Sequence, residues 1–230
     1  MTDISQHQVL EVSNFQNLIS SSFQGVTNAM CWKRNLLGNF NEIVNKITIE
    51  ENMATLCPEQ LIGLELSEQG QLARNIILRD WEQLKFHGAS PSINLIKCYD
   101  RDDSYPFFPT DVYSYHVDRS PIEVDTFLCT YLGESSEILA NAQAQQKINI
   151  PEIRCELKKL DDGESESFES FLSDHFFDLH YQTKPAARPI NLGRGNLWKL
   201  AVDHPGSQVL PCIHRAPKEK SGQTRLMMIC

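Results

Sequence analysis

Two side chains able to ligate a metal, His116 and Asp118, stand two residues apart in SYHVDRSP (114–121). On a strand, residues i and i+2 point to the same face, so an imidazole and a carboxylate are offered side by side. A second imidazole, His214, ends the apolar run QVLPCIH (208–214). Arg225 follows eleven positions later, beyond the turn-forming KEKSG. Two histidines and one carboxylate make a facial ligand set suited to iron(II), with three coordination positions left open. A bidentate 2-oxo acid can fill two of these and dioxygen the third. A guanidinium beyond the metal can then grip the far carboxylate of the oxo acid through a paired hydrogen bond.

This order of parts is H-x-D, a long gap, H, and R about ten residues on. It resembles the iron(II)/2-oxoglutarate-dependent oxygenase superfamily, with His116, Asp118, His214 and Arg225 at the matching positions. GNLWKL (195–200) is similar to the strand before the distal histidine, and HRAP with GQTRLMM to the closing hairpin. The resemblance spans residues 93–230, and YHVD, TYLGESSE and HRAP place it close to an uncharacterised bacterial subfamily. It implies an α+β, mainly β chain with a double-stranded β-helix (jelly-roll) core, the metal lying in the mouth of the barrel. It implies Fe(II) on His116, Asp118 and His214, 2-oxoglutarate on Arg225, and dioxygen (O2) as oxidant. The activity implied is hydroxylation of a small-molecule or amino-acid-like substrate.

The chain departs from the family in one place. Many members carry Ser two residues after the arginine, and Met227 stands here. The missing hydroxyl is then expected from Tyr113, Thr130 or Tyr131 toward the co-substrate, with Tyr115 a further candidate. Arg119 and Tyr115 are the expected substrate contacts, Arg119 being also a competing anion anchor. Two other readings fit the same residues. One is a non-catalytic barrel that holds zinc or nickel; the other is a cupin-like metal oxygenase that does without 2-oxoglutarate, which Met227 favours. Cys212 shares a strand face with His214, and a thiolate ligand would turn the site toward zinc. Arg215, by alternation, faces away from His214. His175 and His180 in DHFFDLH are expected to be structural, His175 because it continues an apolar helical stripe.

These side chains need strands to position them. INLIKCYD (93–100), VYSYHVD (112–118), VDTFLCTYLG (124–133), NLWKLAV, QVLPCIH and TRLMMIC are apolar, β-branched or alternating runs separated by turn residues. The first ninety residues read mostly as helix. Their best case is LARNIILRDWEQLKF, where Ala73, Ile76, Ile77, Trp81 and Leu84 form one stripe. A helical insert near 150–182 starts at Pro151, a good first-turn residue, and continues with Phe168, Phe171, Leu172, Phe176 and Leu179 at helical spacing. The expected organisation is one oxygenase domain over 1–230: a helical part at 1–90, then a jelly-roll core at 91–230 with its insert.

Bulk properties narrow the classes. A net charge of −9 argues against a binder of nucleic-acid backbones. No apolar run reaches 18 residues, so no membrane span is expected, and MTDISQHQVLEV lacks the basic start and apolar core of a signal peptide. The seven cysteines are scattered with no C-x-x-C pair, which suits reduced thiols in a cytoplasmic protein.

Overall fold

A computed structural model of the protein describes residues 8–102, 104–218, 220 and 222–230. In chain order the first part gives β1 (Val9–Val12), α1 (Phe15–Ser20), β2 (Ala29–Trp32), α2 (Phe40–Lys46), β3 (Met53–Leu56), α3 (Pro58–Ile62) and α4 (Glu68–Phe86). Then follow β4 (Ser92–Ile96), β5 (Tyr115–His116), β6 (Asp125–Leu132), β7 (Glu137–Leu139), β8 (Ala144–Gln146), α5 (Pro151–Lys158) and α6 (Phe168–Asp174). The chain closes with β9 (His180–Thr183), β10 (Ile190–Asn191), β11 (Leu197–Ala201), β12 (Ile213–Arg215) and β13 (Arg225–Ile229). The chain thus mixes helix and strand, and the strands form two sheets. The larger runs β1-β2-β11-β6-β13-β4-β3 and the smaller β10-β7-β12-β5-β9-β8.

Helix α4 begins at Glu68, four residues before the quoted run, because the Ser67 hydroxyl accepts from the backbone N–H of Gly70 at 3.2 Å. Its stripe of Ala73, Ile76, Ile77 and Leu84 is buried against the outer face of the larger sheet, together with Phe127, Cys129 and Tyr131 from β6. Leu128, the alternate residue of β6, lies instead with Met227, Trp198, Ile138 and Cys212 in the core between the sheets. Strand β6 is therefore buried on both faces, which is why its sequence is almost uniformly apolar.

Residues 8–90, read from their sequence as mostly helix, also contain strands. Three four-residue strands, β1, β2 and β3, extend the larger sheet at both edges. They are too short to show a period, and β2 is buried at three of four positions, which erases any alternation. Strand β5 covers only two residues of VYSYHVD. The Asp111 carboxylate accepts from the Tyr113 N–H at 3.0 Å and its carbonyl from the Ser114 N–H at 3.1 Å, turning the chain just before the strand. Helix α6 stops at Asp174, and Phe176 adopts a left-handed conformation with φ 59°, so the expected stripe is cut and Phe177–Leu179 form a 3-10 turn. All seven cysteines are unpaired, and no described helix is long and apolar enough to cross a membrane.

Candidate metal centre

His116 on β5 and His214 on β12 are direct cross-strand partners, and their rings lie 4.5 Å apart between centroids. Asp118 follows two residues after His116, where its backbone carbonyl accepts from the Asp203 N–H at 2.8 Å. One donor atom from each of His116, Asp118 and His214 lies within 4.8 Å of the others. This is the group that could hold a metal ion. An ion with bonds of about 2 Å needs the donors somewhat nearer, a side-chain adjustment on strands whose register is already fixed.

The hydrogen bonds around the group decide which atoms face inward. His116 Nδ1 lies 2.8 Å from the Ser114 carbonyl and His214 Nδ1 lies 3.2 Å from the Cys212 carbonyl. A carbonyl can only accept, so both Nδ1 atoms carry the proton and both Nε2 atoms keep a free lone pair. His214 Nε2 is 3.7 Å from Asp118 Oδ1, while Asp118 Oδ2 accepts from the Thr126 hydroxyl at 2.6 Å. One carboxylate oxygen is thus anchored and the other points at the imidazoles. Burial lowers the pKa of His116, with the neighbouring His214 adding to it. For Asp118, burial alone would raise the pKa; His214, the Thr126 hydroxyl and His116 outweigh it and hold the carboxyl below its ordinary range. A neutral imidazole and an ionised carboxylate are the forms that ligate metals.

Thr126 was not singled out by the sequence. It shares strand parity with Leu128 and Thr130, which places it on the inner face of β6. Replacing it by valine keeps the shape and removes the hydroxyl that orients Asp118. Metal affinity should fall roughly 10–100-fold, the scale for outer partners of ligands, as read by competition with a chelator. An unchanged affinity in Thr126→Val would show that the hydroxyl does not position the ligand.

Arg225 is buried, and its Nε donates to the Glu134 carbonyl at 2.8 Å while Nη2 reaches Ser136 Oγ at 3.4 Å. Ser136 lies two residues before Ile138, the β7 residue opposite His214. At about 3.3 Å per residue that sets the guanidinium's partner about 7 Å along the strand from the histidine pair. Gly133 allows this approach: it has φ +87°, and a Cβ there would stand 2.9 Å from Arg225 Cγ. Met227 faces the core between the sheets, with its sulfur 3.5 Å from the Tyr99 hydroxyl. Thr130 is opposite Met227 in the ladder, and its buried hydroxyl has no hydrogen-bond partner among the described residues. Tyr113 sits beside Tyr99 with ring centroids 5.9 Å apart, and its hydroxyl accepts from the Tyr99 N–H at 2.8 Å.

Two expected site residues, Tyr131 and Tyr115, lie elsewhere, and a third, Arg119, is engaged by carboxylates. Tyr131 has the opposite parity to Thr130, so its hydroxyl points away from the space between the sheets and donates to Asp80 at 2.9 Å in the helix-side core. Tyr115 alternates away from His116, donating to Glu137 at 2.5 Å under the Arg215 guanidinium. Arg119 is occupied by two carboxylates, Asp178 at 2.5 Å and Asp203 at 2.8 Å, which tie the insert to the loop after β11. It is a clamp rather than an open anion anchor.

His175 touches Phe171 and Phe177, with centroids 4.5 and 5.8 Å away, as expected of a residue with apolar neighbours, but it caps the end of α6 and is exposed instead of continuing the stripe. Arg215 pairs with Glu137 at 2.5 Å on the outer side.

His180 departs from its expected place. With α6 ended at Asp174, it falls on β9 directly opposite His116, with ring centroids 5.9 Å apart. Of the three ligand residues Asp118 lines an open cleft of about 700 Å³, together with Arg119, Ser120, Val124, Thr126 and Val202.

No protein-family model, no curated protein and no solved structure matches this chain.

Proposed function

We propose that the protein is an iron(II)- and 2-oxoglutarate-dependent oxygenase of the double-stranded β-helix type, acting on a small molecule. The observation that carries this is the His116–Asp118–His214 group with both Nε2 atoms free, together with a buried arginine farther along the same inter-sheet space. The strand order supports it. β4 pairs with β13, β5 with β12, β6 with β11 and β7 with β10. First with last, second with second-last and so inward is the order of a long hairpin rolled into a jelly roll.

In this reading His116, Asp118 and His214 hold the ion on one face and leave the opposite face for ligands. Arg225, already aligned by Glu134 and Ser136, receives the far carboxylate of 2-oxoglutarate. Met227 and Tyr99 wall the inter-sheet space against water, and the cleft beside Asp118 admits the substrate. Iron(II) so held supplies, with 2-oxoglutarate and dioxygen, the oxidising power for a C–H bond, the oxo acid leaving as succinate and carbon dioxide.

The test is anaerobic addition of iron(II) and 2-oxoglutarate, which should produce a visible metal-to-ligand absorption band, followed by succinate on admission of air. Arg225→Leu should weaken 2-oxoglutarate binding by about 2–4 kcal/mol, the scale for removing one partner of a buried charge pair, and leave iron affinity nearly unchanged. Lysine there should rescue in part only, since it offers a point charge in place of a fork. A 2-oxoglutarate affinity that ignores Arg225 would overturn its role. The second reading, a metal centre that works without the oxo acid, is favoured by Met227 filling the place of the usual serine with an apolar side chain. Iron binding with no absorption band and no succinate would select it.

A further inference from the structure

A second polar group adjoins the metal centre and takes no part in holding the ion. Lys147 follows β8, in a short 3-10 turn, and reaches in over the face of Phe108 at 4.8 Å. Its ammonium donates to Ser114 Oγ at 2.7 Å and to the Pro109 carbonyl at 3.3 Å, two of the three donors it carries. Ser114 is the residue whose carbonyl orients His116. No carboxylate among the described residues makes an ion pair with Lys147, and burial depresses its pKa to about 8. Against the same Phe108 ring, at 6.0 Å, stands His180, which is 4% exposed. Its Nδ1 has no hydrogen-bond partner among the described residues. An imidazole so placed has a ring nitrogen left to offer a ligand.

Asp111 acts on Lys147 only from beyond contact, and a half-buried cation with no ion pair, like a buried imidazole nitrogen with no hydrogen-bond partner, is costly when left alone. Both costs fall if one anion lies between them. We propose that Lys147 and His180 form an anion site beside the metal centre, and that the primary substrate is a small carboxylic acid held there by its carboxylate. This rests on the oxygenase reading above. A single ammonium balances one negative charge, which fits a carboxylate better than a phosphate dianion. The arginine on β13 is left to the co-substrate, so the two carboxylates occupy separate cations. The site would fix the acid next to the ion.

The test uses cobalt(II)-loaded protein, whose visible spectrum reports that the ligand set is intact. Acetate, propanoate, butanoate and hexanoate are titrated by calorimetry against their primary amides. At least one acid should bind at least about tenfold more tightly than its amide, as one retained charge contact requires. Lys147→Met should bring that acid down to the amide level, His180→Phe should weaken it several-fold, and Lys147→Arg should keep most of the affinity. Affinity for 2-oxoglutarate should be unchanged in these variants, whereas Arg225→Leu should lose 2-oxoglutarate and keep the acid. Should Lys147→Met fail to fold, the acid-over-amide preference of the parent and of Lys147→Arg decides the matter. Equal binding of acid and amide by the parent, or full acid affinity in Lys147→Met, overturns the site. If 2-oxoglutarate fails to bind while the acid preference stands, the oxygenase reading falls and the anion site remains.

Discussion

Alanine at His116, Asp118 or His214 should each abolish tight iron(II) binding while leaving the protein folded. The loss should exceed the roughly 10–100-fold expected for an outer partner such as Thr126, because each replacement removes one of only three donors. Chelator competition measures the affinity, and far-ultraviolet circular dichroism checks the fold. The fold should survive because the two histidines are joined to the rest of the chain by backbone pairing of β5 with β12, which a side-chain truncation leaves intact. Each imidazole forms one hydrogen bond, to a carbonyl that is its neighbour in sequence, so little tertiary bonding is lost with it. Asp118→Ala differs slightly, since it strips the Thr126 hydroxyl of its acceptor, and should cost about 1 kcal/mol of stability. If all three variants bound iron as the parent does, the ligand assignment would be wrong. If all three unfolded, the group would be a buried polar cluster that stabilises the sheet rather than a metal site.

The ligand group was legible in the sequence because it rests on two robust signals. The H-x-D spacing needs only the period of a strand, and His214 closes an apolar run whose last residues enter β12, Ile213–Arg215, while Leu210 lies exposed before it. Face parity could also have placed Thr126 beside Asp118 and turned Tyr131 and Tyr115 away, had it been followed along β6 and β5. What the sequence could not show are relations set by distant partners. Arg119 looks like an open cation until Asp178 and Asp203, 59 and 84 residues away, close on it. His180 looks like a helical residue because the apolar spacing continues past Asp174. Only the left-handed turn at Phe176 breaks that continuity and delivers His180 to the strand facing His116. The edge strands β1 and β3 escaped notice because four residues show no period. Their pairing is decided by the sheet they join.

Among the described residues the N-terminal part contributes nothing to the candidate metal group, yet a buried contact couples it to the strands of the site. Asp80 on α4 receives Arg34 Nη1 at 2.7 Å and the Tyr131 hydroxyl at 2.9 Å, and its side chain is fully buried. Arg34 in turn donates from Nε to the Gly195 carbonyl at 2.8 Å and lies over the Trp32 ring at 4.7 Å. The network thus joins α4, the segment after β2, the turn before β11, and β6, whose other face bears Thr126 and Thr130. Asp80→Ala leaves a guanidinium and a phenol buried without their shared acceptor, and should lower stability by about 3–5 kcal/mol, the cost of breaking a buried pair. For a chain of this length each kcal/mol moves the melting temperature by about 2–4 °C, so a drop of roughly 6–20 °C is expected in a thermal melt. The cost lies in the stranded charge rather than in the attraction lost. The double variant Arg34→Met with Asp80→Leu should therefore recover most of the stability, since apolar groups of similar size often replace a buried ion pair without loss. A fall of under about 1 kcal/mol in Asp80→Ala would mean that water reaches Arg34. A double variant no better than the single would mean that the network, and not its charge, holds the helices to β6.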